Sequence, residues 1–151
     1  MTYEVRAERA ESRQLAAVHV EAAQDRLGAV IIGLLNLVWP VLRAQRVATG
    51  HNVVIYHGEK NGVLTIDAGV EVPAGFEPDG DVRACATPSG EVATVAYFGD
   101  YSQMAPAYAA IDQWCGANGR QRAGASWEVY GDWDDDPARR RTDIYFLLAP
   151  A

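Results

Sequence analysis

The chain is short of cysteine, of basic residues and of long apolar runs, and each shortage removes a class of function. Cys85 and Cys115 are the only two cysteines in 151 residues, and neither has a second ligand at metal or redox spacing, so a disulfide scaffold is excluded. Two isolated thiols suit a reducing compartment. The opening Met1–Ser12 lacks the apolar segment of a secretory signal, and a cytoplasmic protein is expected. Lys and Arg number 13 against 20 Asp and Glu, a net charge of −7. Nucleic-acid affinity rests on neutralising phosphates with basic side chains, so no nucleic-acid partner is expected. The longest apolar run, Leu27–Leu42, is interrupted by Gly28, Gly33, Asn36 and Pro40 and is shorter than the roughly 18–20 residues of a membrane span. It predicts a buried helix and no membrane partner.

Motifs for common chemistries are missing as well. Gly-x-Ser-x-Gly is absent, which leaves Ser89 and Ser126 without a nucleophile setting. The 14 glycines are dispersed at turns, so no loop cradles a phosphate and no cofactor is expected. What remains, 49% hydrophobic and 22% charged, is a single domain able to bury a core and handle small molecules or proteins.

The pattern of β-formers predicts strands at Tyr3–Glu8 and Gln14–Val20. Arg26–Arg46 reads as a helix, because Leu27, Val30/Ile31, Leu34, Val38 and Leu42 recur at three- and four-residue steps. Ile32, Leu35 and Trp39 fall off that stripe, so the helix is apolar most of the way round and is expected to be covered on two sides. Pro40 should kink or tighten its end. Strands Asn52–His57 and Val63–Val72 follow, joined through the turn signal Asn61–Gly62. Pro73–Asp81 is the one convincing linker. Beyond it come strands Val82–Thr87 and Glu91–Phe98, a helix Ser102–Asn118 stopped by Gly119, and strands Ser126–Tyr130 and Thr142–Leu148.

The order strand–strand–helix–strand–strand therefore occurs twice, over 1–72 and 82–151. Gly50 precedes Tyr56 as Gly124 precedes Tyr130, and Trp39 and Trp114 sit late in the two helices. Each half alone closes a core poorly. The expectation is an α+β domain in which duplicated β-β-α-β-β modules form one antiparallel sheet, with two helices on it and a ligand groove between the modules.

The segments Tyr97–Phe98–Gly99–Asp100–Tyr101, the helix through Trp114, Gly124–Ala125–Ser126–Trp127–Glu128–Val129–Tyr130 and Thr142–Asp143–Ile144–Tyr145 together resemble the GyrI-like effector-binding domain. That domain is the drug-sensing half of many multidrug-responsive bacterial transcription regulators, and members also stand alone. The resemblance is best over residues 82–148. The family's strand ends in His-x-Gly-x-Tyr, and Tyr97 takes the place of that histidine here, which removes a titratable imidazole.

Strand alternation puts Ser126, Glu128 and Tyr130 on one face and Trp127 and Val129 on the other. The resemblance implies that Glu128 lies at the base of a ligand pocket and attracts aromatic, cationic, lipophilic compounds. It also implies that Tyr145 is a pocket tyrosine. Tyr56, Tyr101, Tyr130 and Trp39 are candidate walls of the groove. A second reading makes the chain a hydrolase of reactive cyclopropane-bearing genotoxins, with Glu128 as general base and Tyr145 or Tyr97 orienting substrate or water. A third is a protein-interaction module, like relatives that bind DNA gyrase. Under each reading a monomer or homodimer is expected. With no helix-turn-helix ahead of it, the chain is not expected to bind DNA by itself.

Other candidates are weaker. Asp132, Asp134 and Asp136 begin like a calcium loop, but Pro137 and Asp143 stand where Gly and Glu are needed, so a solvated acidic loop offset by Arg139–Arg140–Arg141 is expected. His51 and His57 lie near one strand with no adjacent cysteine, and no metal site is assigned.

Overall fold

The structure is a computed structural model and describes residues 2–151. Its strands are β1 (Arg6–Ala10), β2 (Gln14–Ala23), β3 (Asn52–Lys60), β4 (Val63–Glu71), β5 (Arg83–Ala86), β6 (Gly90–Phe98), β7 (Arg122–Tyr130) and β8 (Arg141–Leu148). Helices α1 (Leu27–Gln45) and α2 (Ala105–Ala117) each stand between the second and third strands of their half. The eight strands form one antiparallel sheet in the order β1-β6-β8-β7-β3-β4-β2-β5. The fold is α+β, as the element pattern predicts.

That order reads as a palindrome about the β3–β7 seam, with one exchange. The first strand of each half leaves its own module: β1 pairs with β6, and β5 pairs with β2. The exchange forces curvature. In a flat sheet β1 and β2 would lie six strand spacings apart, about 29 Å at roughly 4.8 Å each. Only Glu11–Arg13 joins them, a reach of about 14 Å. The sheet must curl until its ends meet. Where they meet, the two short crossovers clasp each other: Thr87 N–H donates to the Arg13 carbonyl at 3.0 Å and Arg13 N–H to Thr87 Oγ1 at 2.9 Å.

The curled inner face closes on Leu15, Ala17, Val53, Ile55, Val92, Trp127 and Val129. The outer face carries the helices. Leu34, Val38 and Leu42 of α1 pack on Val18, Val54, Ile66, Ala68 and Val70. Ala107, Ile111 and Cys115 of α2 pack on Ala93, Val95, Ile144 and Phe146. The curl also fixes Gly69 in β4, where an added Cβ would fall 2.0 Å from the Ala16 carbonyl oxygen of β2.

Two expectations are corrected. Tyr3 and Val5 do not enter the ladder, which begins at the Arg6–Thr94 pair, because both pack instead into the core beneath α2. Helix α1 runs through Pro40 to Gln45, as its periodicity predicts. It is not covered on two sides, however: Ile32 is 62% and Leu37 54% exposed, since α1 lies in the outermost layer. With its leading turn it spans Gln24–Gln45 at a mean hydropathy of 1.8, long and apolar enough by length and composition to cross a membrane, although one stripe of it is docked on the sheet. The 73–81 segment is tied back to α1. The Gln45 side-chain amide brackets Glu77, accepting from its N–H at 2.8 Å and donating to its carbonyl at 2.7 Å.

This division of α1 makes a prediction. Leu42 is 1% exposed, and Leu42→Ala should cost about 2–5 kcal/mol in urea denaturation. Leu37→Ala on the open face should stay within about 0.5 kcal/mol of the parent chain.

Candidate functional site

The β3–β7 seam carries the candidate site. Val54 of β3 pairs directly with Glu128 of β7, with Asn52–Tyr130 and Tyr56–Ser126 on either side. Alternation sends Val54, Tyr56, Glu128 and Tyr130 to the helix face. Glu128 is 4% exposed. Its Oε1 accepts from the Tyr56 hydroxyl at 3.0 Å and the Tyr130 hydroxyl at 2.5 Å, and its Oε2 accepts from the Tyr108 hydroxyl of α2. Among the described residues no basic side chain forms an ion pair with it. A desolvated carboxylate is thus met by neutral hydroxyls alone. Hydrogen bonds to a charged group are each worth about 1.5–3 kcal/mol, which offsets part of the cost of burial.

The rings holding those hydroxyls are themselves packed. Tyr130 meets the edge of Tyr101 at 5.6 Å, and Tyr108 meets Phe146 edge-on at 5.6 Å. On the α1 side, Trp39 packs into the cluster that includes Tyr56 and Tyr130, and its indole N–H donates to Asn52 Oδ1 at 3.0 Å. Beside Tyr130 in the ladder lies Thr142, whose buried hydroxyl has no hydrogen-bond partner among the described residues.

Of the residues singled out in sequence, Glu128, Tyr56, Tyr130, Tyr101 and Trp39 therefore gather at the seam. Two do not. Tyr145 pairs with Trp127, not Glu128, and stacks on its indole at 5.3 Å on the inner face. Alternation along β8 carries Ile144 to the helix face and turns Tyr145 away. Tyr97 is on the helix face but is buried under α2, where its hydroxyl donates to the Asp100 carbonyl at 2.7 Å. That hydroxyl occupies the space a Cβ on Gly99 would need. It closes a turn and does not reach Glu128.

Tyr108 is the residue the sequence reading missed. Its signal was helical spacing: Tyr108 precedes Ile111 and Cys115 by three and seven positions, the inward stripe of α2. The acidic loop behaves as expected. Asp134 and Asp136 accept from backbone N–H groups two residues on, Arg140 lies 3.7 Å over the Trp133 ring, and Arg141 pairs with Asp143 at 2.8 Å. His51 turns to Asp132 and Glu71, away from His57.

A model of the GyrI-like small molecule binding domain matches residues 39–149. The chain belongs to the GyrI-like family. Solved structures share its fold at low identity. The C-terminal domain of EcmrR is 17% identical with a TM-score of 0.77, each chain covering all of the other. In an EcmrR–DNA complex the identity is 18% and the TM-score 0.83, and this chain, 99% covered, spans only 58% of the EcmrR chain. SAV2435 bound to tetraphenylphosphonium is 11% identical with a TM-score of 0.69, over 99% of this chain and 94% of that one. A hydrolase from Listeria innocua is 8% identical with a TM-score of 0.66, over 97% and 92% of the two chains. No curated protein matches the sequence.

The phenols give this GyrI-like site a signature at high pH. Burial, and then the charge of Glu128, raise the ionisation of Tyr56, Tyr108 and Tyr130 above the ordinary tyrosine value. Unfolded phenols lose their protons near pH 10. The cluster's stabilisation is therefore whole below about pH 10 and drains away as pH rises above it. In an alkaline titration read by phenolate absorbance, at least these three of the seven tyrosines should ionise only together with loss of the circular-dichroism signal. Ionisation of all seven with the fold intact would contradict the arrangement.

Proposed function

We propose that the chain binds bulky aromatic cations of delocalised charge at Glu128, as a sensing or sequestering protein. The observation that carries this reading is a carboxylate 4% exposed, without a basic partner among the described residues, ringed by Tyr56, Tyr108 and Tyr130. A weakly hydrated organic cation loses little on leaving water and gains the uncompensated charge. Aromatic faces add cation–π contacts of about 0.5–2 kcal/mol. Family membership and the drug-bound state of SAV2435 support the same reading. Because Glu128 is covered, the ligand has to displace at least one tyrosine ring. Tyr101, 37% exposed and leaning on Tyr130, stands at the accessible margin.

The hydrolase reading shares the pocket but draws less from its geometry. Both oxygens of Glu128 already accept phenolic O–H groups, two on Oε1 and one on Oε2. Three of the carboxylate's roughly four acceptor sites are thus filled, and a water has only the second site of Oε2 left to it. Tyr145 and Tyr97, the two residues that would orient substrate or water, lie away from Glu128.

Tetraphenylphosphonium and a rhodamine should bind, followed by calorimetry and fluorescence. Glu128→Gln should weaken both cations about 10- to 100-fold, roughly 1.4–2.8 kcal/mol, and weaken an uncharged triaryl analogue far less. Equal losses for cation and neutral compound would remove Glu128 from the reading.

A further inference from the structure

The inner face of the same sheet holds a second buried carboxylate. Asp67 of β4 is 8% exposed. Its Oδ1 lies 2.7 Å from Nδ1 of His19 on β2, and its Oδ2 lies 2.5 Å from Nε2 of His57 on β3. These nitrogen and oxygen atoms all lie within 4.8 Å of one another. Three adjacent strands thus converge on one point. His19 arrives by register, as the direct partner of Asp67. His57 arrives by a bulge. The β3–β4 register breaks between Tyr56 and Gly58, which makes His57 the extra residue with no partner across the ladder. Bulges of this kind re-aim a side chain.

The effector site uses none of these groups, and packing does not call for them. A desolvated carboxylate costs stability unless fully paired, and apolar residues would serve a sheet interior better. Two imidazoles and one carboxylate are instead a common donor set for zinc and its neighbours. A tetrahedral Zn(II) at about 2.0–2.2 Å from each ligand spaces its donors roughly 3.3 Å apart, so small side-chain rotations suffice. The His19 and His57 side chains are 63% and 41% exposed, which leaves the remaining coordination position open to solvent. A cavity of about 520 Å³, lined also by Arg83 and Cys85, adjoins His19 and Asp67.

We infer that His19, His57 and Asp67 form a binding site for a borderline divalent transition ion of the Zn(II) type. On binding, His19 Nδ1 and His57 Nε2 turn their lone pairs to the metal and any protons on them pass to solvent. The site lies across the sheet from Glu128 and does not depend on cation binding there.

The test is a titration of the metal-free protein with Zn(II), read by calorimetry and by thermal unfolding. One equivalent should bind and raise the unfolding temperature. His19→Ala and His57→Ala should each weaken binding at least tenfold, while His51→Ala and Glu128→Gln bind like the parent chain. Both site histidines are exposed, and circular dichroism checks that the variants fold. Co(II) supplies a second readout: paramagnetic broadening confined to the His19 and His57 rings. No saturable binding, unchanged affinity in the two site variants, an equal loss in His51→Ala, or broadening spread over the acidic loop would each overturn the site.

Discussion

The β3–β7 seam is the pairing on which the other features depend. Without it each half would have a helix on a short sheet and an exposed edge, and neither could close a core. With it the sheet becomes long enough to curl, and the exchanged strands β1 and β5 cap its ends. The seam also brings hydroxyls from both halves to one carboxylate. Tyr56 and Tyr130 correspond in the two halves, each six residues past a glycine. Across the Val54–Glu128 pair they converge on the same carboxylate oxygen.

One asymmetry at that centre sets its charge. The half that could have supplied a second carboxylate supplies Val54 instead, fully buried against α1. Two carboxylates at a hydrogen-bonding distance would repel in a low dielectric, and one would take up a proton. With valine opposite, Glu128 faces no second acid across the pair. Three phenols satisfy it without neutralising it, because burial and the Glu128 charge together keep their protons on.

The parts of this arrangement set by local periodicity were legible in the sequence. Both helices, the Asn61–Gly62 hairpin with its positive φ at both residues, and the facing of Ser126, Glu128 and Tyr130 follow from spacing and turn chemistry. The strand exchange was not legible, because pairing between distant strands leaves no local trace and the Glu11–Arg13 link reads as an ordinary hairpin connection. Tyr145 shows the converse. Alternation from Thr142 through Ile144 already turns it away from the helices, and the resemblance pointed the other way. The His19–Asp67–His57 cluster was invisible for a third reason. It joins three strands, and its last member depends on a bulge that no pattern of residues announces.

The two buried acids differ in what they are dressed with, and that difference separates their chemistry. Phenolic hydroxyls donate to Glu128 and present flat apolar rings beyond it. They offer no soft lone pair, so the setting suits a large cation that keeps its charge spread and accepts aromatic contact. Imidazoles at Asp67 bring lone pairs, half-exposed rings and an open approach, which suits a compact ion that replaces water by nitrogen. A metal at Glu128 would find one carboxylate and reluctant phenols. An arylphosphonium at Asp67 would find no aromatic wall beyond the two imidazoles. The same sheet, through alternation alone, presents the two acids to opposite sides, so the two proposed ligands would not compete.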